Sequence, residues 1–524
     1  MRPVLWQPAD LLSSAEEAIV RRIRRAKLFI FLRTVRSVLF DAAFQEELAT
    51  LYDDRAKGQP PVSPALLALV TILQAYTGAS DAEAVEATVM DRRWQLVLDC
   101  LDCADAPFST GTLVAFRERL ITAEMDRRLI ARTVEMAAQT KGFGHRQLRV
   151  ALDSSPLWGA GRVEDTYNLL GHALRKALGV LARQQGREVA EEAAAAGAPL
   201  VGGVSLKAAL DCDWDDPAAR AAALGQVLAA LDAVEAHVAA QPESPAQTVA
   251  QESVAVAHQV VVQDVEERPD GTAALRQGVA ADRRISVEDG DMRHGRKSRT
   301  QLIDGYKRHV LRDLDSQLIR AVGLTLANAP EASVTPALQA DLAPQQVTLA
   351  ECHMDRAYLS STLVRDRGPE LTIVCKAWPV RSGPRFAKTA FQLDWDRGIL
   401  LCPQQVEAPF TPGGVVHFPA LTCAACPLRA QCTSSTHGRS VTIHRDERLL
   451  DELRTRQLTP AGRAALRERV QVEHSLAHIG AWQGDRARYR GQRKNLFDLR
   501  RTAVVENLHV LQRLPDVVTV LRAA

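Results

Sequence analysis

The pattern of hydrophobic and polar positions divides the chain into a helical first quarter and a mixed remainder. Before residue 140, apolar residues recur with helical spacing in four segments. In order these are SAEEAIVRRIRRAKLFIFLRTV, SPALLALVTILQAYTG, SDAEAVEATVMDRRWQLVLDCL and STGTLVAFRERLITAEMDRRLIARTVEMAAQT. Each begins near a serine that can cap the first free N–H groups of a helix. The pattern predicts an all-helical N-terminal domain over residues 1–140.

A strand-like pattern begins at RQLRVALD, which predicts a buried strand that ends at Asp153. Helical composition then returns over residues 160–262, which we interpret as a helical insertion. From Tyr306, the runs YKRHVLRDL and LIRAVGLTLANA predict an antiparallel hairpin. QVTLAECHMD and LTIVCKAW predict two more strands, with a helix between them that ends at Gly368. A long helical region closes the chain.

Length and composition narrow the class of protein. A chain of 524 residues is expected to form two to four domains, and 46% hydrophobic with 24% charged residues is ordinary for a soluble protein. The N-terminus MRPVLWQPADLL lacks a signal-peptide pattern, and no window shows the roughly 18 uninterrupted apolar residues of a membrane helix. We therefore predict a cytoplasmic protein with no membrane partner.

The net charge of +2 is uninformative, but its distribution is not. Residues 21–36 hold seven Lys or Arg and no acid, and residues 481–501 hold seven Lys or Arg with two acids. Such concentration indicates contact with a polyanion. A solvated basic helix face is the common alternative for any single run.

Four of the nine cysteines are clustered, with the spacing C-x20-C-x2-C-x5-C. They are Cys402, Cys423, Cys426 and Cys432. In a reducing compartment, a CxxC within such a group favours a metal site over a disulfide. The prediction is a structural tetrathiolate zinc site, with an iron–sulfur cluster as the second candidate and four ordinary thiols as the plain alternative.

Three carboxylates stand at positions where chemistry could occur. Asp153 and Asp355 each end a predicted strand, and strand ends of an open sheet often carry functional side chains. Glu473 lies four residues after Arg469, so both project from one helix face, which by itself is typical of an ordinary surface ion pair. Residue patterns alone leave each acid open to a purely structural role.

Several sequence words together closely resemble the DDE transposases of bacterial insertion sequences. They are LDSSPLWGAGRVEDTYNLL, DGYKRHV, CPLRAQCT and RVQVEHSLAHIGAWQGDRARYRGQRKNLFDL, with PPVSPALLALVTILQAYTGASDAEAV and STGTLVAFRERL in the helical first quarter. The resemblance spans nearly the whole chain. It implies that Asp153, Asp355 and Glu473 form the catalytic triad and bind Mg²⁺ or Mn²⁺.

The same resemblance implies an α+β fold built on a ribonuclease H-like mixed sheet flanked by helices. The core is expected at residues 146–378 and 446–524, interrupted by the helical insertion at 160–262 and by a small cysteine-rich, metal-binding insertion at 379–445. The N-terminal helical domain, 1–140, is expected to bind DNA or to mediate dimerisation.

The implied function is cleavage of double-stranded DNA at element ends and strand transfer into target DNA, by a homodimer associated with the bacterial nucleoid. Two alternatives remain: a zinc-stabilised DNA-binding regulator without catalysis, and a nuclease with the same core that does not join strands. The family signature Tyr-x2-Arg-x3-Glu-x6-Lys retains Arg469 and Glu473, but Leu466 and Gly480 replace its Tyr and Lys.

Basic residues near the C-terminus are the predicted DNA contacts. In DRARYRGQRKN, arginines alternate with other residues, and phosphate contacts require only charge and reach, whereas an interleaved tyrosine can stack on an unpaired base. The predicted set is Arg469, Arg486, Arg488, Tyr489, Arg490, Arg493 and Lys494. The basic segment at 21–36 is a second candidate.

Overall fold

The computed structural model describes residues 2–54, 59–101, 103–140, 143, 146–269, 271–297, 300–380, 382–514 and 517–523. The described part of the N-terminal region forms eight helices. Helices α1 to α8 are Ser14–Arg22, Lys27–Leu39, Ala42–Ala49, Pro64–Thr77, Asp81–Met90, Arg92–Leu98, Thr110–Thr122 and Asp126–Ala138. Ser80 and Ser109, which begin two of the predicted segments, each accept a hydrogen bond from a first-turn N–H, and in the first segment Ser13 makes this bond one residue before the predicted start at Ser14. The fourth, Ser63, precedes Pro64 and makes no such bond.

The first strand is followed by the helical insertion. Strand β1 is Gln147–Trp158, helices α9 to α13 are Thr166–Gln185, Val189–Ala195, Leu206–Leu210, Pro217–Ala239 and Pro245–Asp264, and strands β2 and β3 are Val265–Glu267 and Ala273–Leu275. These helices have a hydrophobic core of their own.

The strands and helices that complete the core sheet follow. They are β4 Arg293–Arg296, β5 Leu302–Asp313, β6 Ile319–Leu326, α14 Thr335–Leu342, β7 Thr348–Met354, α15 Thr362–Arg365 and β8 Thr372–Val374. The predicted hairpin of β5 and β6 is confirmed. The helix predicted between β7 and β8 is instead a 3-10 turn, Arg356–Tyr358, followed by the single turn of α15.

The sheet is mixed. Its path runs β4-β5-β1-β7-β8, and β6 also pairs with β5. Strand β5 is antiparallel to β1 and β6, whereas β7 is parallel to β1 and β8. This α+β arrangement, with helices flanking the sheet, is consistent with the predicted ribonuclease H-like core.

The cysteine-rich region is a small unit of short strands with its own apolar cluster. It comprises β9 Gln392–Asp394, β10 Ile399–Leu401, β11 Glu407–Pro409, β12 Val415–His417, α16 Ala420–Ala424, α17 Arg429–Cys432 and β13 Ser440–Thr442. The chain then forms α18 Glu447–Leu458, α19 Pro460–Glu468, α20 Val470–Gln483, α21 Gln492–Gln512 and α22 Val517–Ala523.

Helix α21 joins the N-terminal helices to the sheet. Its apolar residues share one hydrophobic cluster with α2, α4, α8, α20 and strands β5 and β6. Arg500 of α21 is 3% exposed and forms ion pairs with Asp126 at 3.0 Å and Asp341 at 2.7 Å. The helical first quarter is therefore packed into the core rather than tethered to it.

One helix, α12, is long and apolar enough to cross a membrane by length and composition alone, and α4 with α5 would be a second candidate if a pair bent by 102° counted as one span. This search covered only the described residues. Buried residues of α12 such as Leu224, Val227 and Val234 belong to the core of the helical insertion. A core helix of a soluble protein passes the same test, so the finding is weak evidence for a span.

Candidate active site

Asp153 lies where β1 loses one of its two partners. Parallel pairing with β7 ends at Leu152 opposite Met354, whereas antiparallel pairing with β5 continues to Trp158. The prediction that the strand ends at Asp153 was wrong, because the following residues stay extended by pairing with β5. The sheet nevertheless opens on the β7 side at this residue, so the Asp153 side chain lies beside a gap.

Asp355 borders the same gap. It follows β7 directly, is exposed, and its carboxylate accepts a hydrogen bond of 2.6 Å from the N–H of Arg356. Since Leu152 and Met354 are register partners, Asp153 and Asp355 leave adjacent parallel strands at the same level. The rigid sheet thus fixes both acids.

Glu473 is brought to the gap by helix α20, which two arginines of β5 hold against the sheet. Arg312 donates hydrogen bonds of 2.8 Å to the Gln471 carbonyl and to the Ser475 hydroxyl. At the other end of the helix, Arg308 donates to the Gly484 carbonyl at 2.9 Å. Burial lowers the pKa of Arg308 to about 10, so it remains charged near neutral pH.

The three acids line one cleft of about 880 Å³. Its wall also carries the side chains of Lys297 and Arg308, and Trp158, which is 36% exposed. The sequence analysis did not identify these three residues as part of the site, although Trp158 stands only five residues after Asp153. A cleft lined by both carboxylates and cations suits a phosphodiester ligand with bound metal ions.

Arg469 lies between two of the acids. Its Nη1 contacts Oδ2 of Asp153, and its Nη2 lies 3.0 Å from Oε1 of Glu473. The Glu473 pair was foreseen from the helical spacing, and the Asp153 contact was not. The side chains of Asp153, Arg469 and Glu473 are 13%, 28% and 48% exposed, so the bridge lies at the cleft surface.

A buried polar pair lies beneath the cleft. His309 of β5 is fully buried, with Nδ1 2.7 Å from the Tyr358 hydroxyl and Nε2 2.9 Å from the Thr325 hydroxyl. Burial, helped by nearby lysines, lowers the pKa of His309 to about 3, so its ring is neutral. Burial and neighbouring carboxylates raise the pKa of Tyr358 well above its ordinary value. The pair connects β5 to the turn that carries Asp355.

The predicted DNA-binding residues near the C-terminus contact other parts of the fold. Arg486 donates to the Gly159 and Ala160 carbonyls, Arg488 to the Gly78 and Ala79 carbonyls, Arg490 pairs with Glu288, and Arg493 pairs with Asp126. The Tyr489 ring lies under the guanidinium groups of Arg117 and Arg501. Lys494 is exposed. These contacts give the segment a structural role. DNA binding by the same residues stays a prediction.

The four clustered cysteines line one cavity of about 220 Å³, together with three phenylalanines and two prolines. None of them forms a disulfide. Cys402 is held by a tight turn in which its N–H donates to the Val406 carbonyl at 3.0 Å, and Cys423 and Cys426 flank a second turn. Burial raises the pKa of Cys432, and the other three thiols add to the effect.

Within the described ranges, no group of three or more His, Cys, Asp or Glu side chains has the arrangement of a preformed metal site. The donor types nevertheless match two classes of metal. Carboxylate oxygens at the cleft suit Mg²⁺ or Mn²⁺, and four thiols suit Zn²⁺.

Family models match two parts of the chain. The model described as Transposase DDE domain matches residues 410–512, and the one described as Transposase domain (DUF772) matches residues 18–119. The first match contains Glu473, whereas Asp153 and Asp355 lie outside both. No curated protein and no solved structure matches the chain.

A transposase DDE domain implies an enzyme that acts on DNA with a divalent metal ion. The DDE match covers α18 to α21, which carry the third acid of the cleft, and the other match covers the N-terminal helices packed against α21. Together, the two matches support a DDE transposase of the insertion-sequence type.

Proposed function

We propose that this protein cuts DNA at the ends of an insertion sequence and joins the released 3′ ends to target DNA. The observation that carries the proposal is the meeting of Asp153, Asp355 and Glu473 in one cleft, from segments more than a hundred residues apart in the sequence. Acids on two adjacent strands and one docked helix are not required by the packing of the sheet. The two transposase-domain matches point to the same chemistry.

The three acids are the proposed metal ligands. When bound, Mg²⁺ or Mn²⁺ supplies stabilisation of the attacking and leaving oxygens of an in-line phosphodiester displacement. Asp153 and Asp355 are held by the sheet, and Glu473 approaches from α20, so the acids are positioned before DNA arrives. Ser154 and Ser155 follow Asp153 in the same strand and have no nucleophilic role in this proposal.

The cleft wall is the proposed site for the scissile strand. Lys297 offers positive charge to the phosphates, buried Arg308 adds to the positive potential of the wall, and the exposed ring of Trp158 offers an apolar face to a base or sugar near the cut. Two element ends must be brought together for joining, so we expect a dimer on DNA.

The test is an assay of labelled double-stranded DNA that carries the sequences flanking the gene, with Mg²⁺ or Mn²⁺. Wild-type protein should nick the element end and join it to a target plasmid, and Asp153→Asn, Asp355→Asn and Glu473→Gln should each lose at least about a hundredfold in rate. A matched control, Asp366→Asn, alters an exposed acid of the same domain that pairs with Arg365 and should cut normally.

The two alternatives give different results in this assay. A nuclease with the same core would nick in an acid-dependent way and yield no joined product. A DNA-binding regulator would bind the end sequence without cutting it, and the three substitutions would change nothing. Either result overturns the transposase proposal.

We further infer that Cys402, Cys423, Cys426 and Cys432 hold a structural Zn²⁺. Support comes from the four thiols themselves, which line one small cavity of a unit built from short strands and form no disulfide. Elemental analysis should find one zinc per chain, lost in Cys423→Ser and retained in Cys212→Ser, which alters a thiol of the helical insertion. Iron with acid-labile sulfide would identify a cluster instead, and absence of both metals would leave four ordinary thiols.

A further inference from the structure

The guanidinium of Arg469 occupies the position of a cation within the acid cleft. It bridges Asp153 on β1 and Glu473 on α20 through two different nitrogens. Carboxylates gathered in one cleft repel one another unless positive charge lies among them. Arg469 supplies that charge in this structure.

The bridge uses the oxygens that a divalent ion would need. Oδ2 of Asp153 and Oε1 of Glu473 are hard oxygen ligands of the kind that Mg²⁺ and Mn²⁺ take. A guanidinium in contact with Oδ2 would meet an ion on the same oxygen as a like charge at a few ångströms, where repulsion is strong. Both cations therefore compete for the same carboxylates.

We propose that Arg469 is the resident counter-ion of the metal-free site and must leave Asp153 and Glu473 before a divalent ion binds there. The inference rests on the proposed function and deepens it, because binding of the metal ion becomes an exchange in which the ion replaces the Arg469 guanidinium. The side chain is 28% exposed at the cleft surface, so it can turn away without movement of the sheet. Once released, its charge joins those of Lys297 and Arg308 on the cleft wall, where a DNA phosphate would meet it.

The test measures Mn²⁺ binding to the full chain without DNA, by electron paramagnetic resonance of the free ion. Arg469→Gln removes the competitor and should lower the Kd for Mn²⁺ roughly threefold to tenfold, the range expected for partly exposed ion pairs. Lys297→Gln is the matched control. It removes one positive charge from the same cleft, where Lys297 donates to the Ser154 carbonyl at 2.8 Å rather than to the acids.

The outcomes separate this inference from the proposed function. If Asp355→Asn abolishes Mn²⁺ binding but Arg469→Gln leaves the Kd unchanged, raises it, or shifts it only as much as Lys297→Gln, the exchange is wrong and the metal site stands. If Asp355→Asn binds Mn²⁺ as wild type does, the acids are not the metal site and the proposed function falls as well.

Unfolding gives a second readout that does not depend on catalysis. In EDTA, Arg469→Gln should be less stable than wild type, because Asp153 and Glu473 lose their counter-ion. Saturating Mg²⁺ should raise the unfolding temperature of Arg469→Gln by more than that of wild type, since no bridge has to be broken. An equal gain in both proteins would contradict the exchange.

Discussion

The Tyr358 hydroxyl lies 2.7 Å from Nδ1 of His309, at a point where neither side chain is exposed. Tyr358 stands three residues after Asp355, and His309 is the β5 register partner of Ser154, the neighbour of Asp153. This hydrogen bond therefore connects the turn of the second aspartate to the part of β5 that pairs with the strand of the first. Its position suggests that it fixes the separation of the two aspartates.

Replacing Tyr358 with Phe should slow DNA cleavage more than it destabilises the fold. Removal of the hydroxyl should cost about 1–2 kcal/mol of unfolding free energy, because His309 loses a buried partner. Loosening of the two aspartates should reduce the cleavage rate by about tenfold or more and raise the Mn²⁺ concentration needed for half-maximal rate. Tyr167→Phe is the control, since that buried hydroxyl donates to the Arg220 carbonyl in the helical insertion. Equal cleavage by both variants would rule out the positioning role.

His309 should make the protein acid-sensitive. Its pKa is about 3 in the folded chain and near 6.5 when unfolded, so only the unfolded state takes up a proton between these values. The contribution of His309 to the free energy of unfolding is therefore highest above pH 6.5 and decreases as the pH falls. At pH 5 the decrease due to His309 is about 2 kcal/mol. Urea unfolding at pH 7 and pH 5 measures this loss. His309→Gln should be less stable at pH 7 but show a smaller loss, and an unchanged pH dependence would show that other groups dominate.

The substitution Arg312→Met should weaken the attachment of helix α20 to the sheet. The substitution removes two hydrogen bonds to the helix, to Gln471 and Ser475, at a cost of about 2 kcal/mol. Because Glu473 lies between these two contacts, the cleavage rate should fall at least tenfold. Arg467→Met changes an exposed arginine of α19 and should retain both stability and rate. Full activity of Arg312→Met would mean that apolar packing alone orients Glu473.

The buried carboxylate of Asp126 should be essential to the junction between the N-terminal helices and the core. It is fully buried between Arg493 and Arg500. Asn in its place would remove the negative charge that neutralises both guanidinium groups. Breaking such a pair typically costs about 3–5 kcal/mol. Urea unfolding should show this loss for Asp126→Asn and none for Glu118→Gln, an exposed acid on α7. A loss below about 1 kcal/mol would indicate that Asp341 alone compensates Arg500.

Local patterns predicted much of the fold. The helical first quarter, the β5–β6 hairpin and strand β7 follow from periodicity, and the serine caps from local chemistry. The length of β1 did not, because Ser154, Ser155 and Pro156 read as a turn while their pairing partners lie some 150 residues away on β5. Extended structure there is imposed by a distant strand and leaves no local signal.

The site shows the same division. The spacing of Arg469 and Glu473 predicted their pair, but the contact of Arg469 with Asp153 spans 316 residues and depends on how α20 docks. The sequence of the basic segment at 486–494 indicates a free loop. In the structure, two of its arginines donate hydrogen bonds to the backbone carbonyls of Gly78 and Gly159. The sequence shows where the arginines are, but not which carbonyl groups of the folded chain accept their hydrogen bonds.

The most direct test of the central claim, that three distant acids form one metal site, is affinity cleavage with Fe²⁺, ascorbate and peroxide in place of Mg²⁺. Radicals formed at a bound ion cut nearby backbone, so fragments should map to the neighbourhoods of Asp153, Asp355 and Glu473 together. Excess Mg²⁺ and Asp355→Asn should each abolish all three cuts. Fragments near only one of these residues, or cuts that persist in Asp355→Asn, would contradict a shared site.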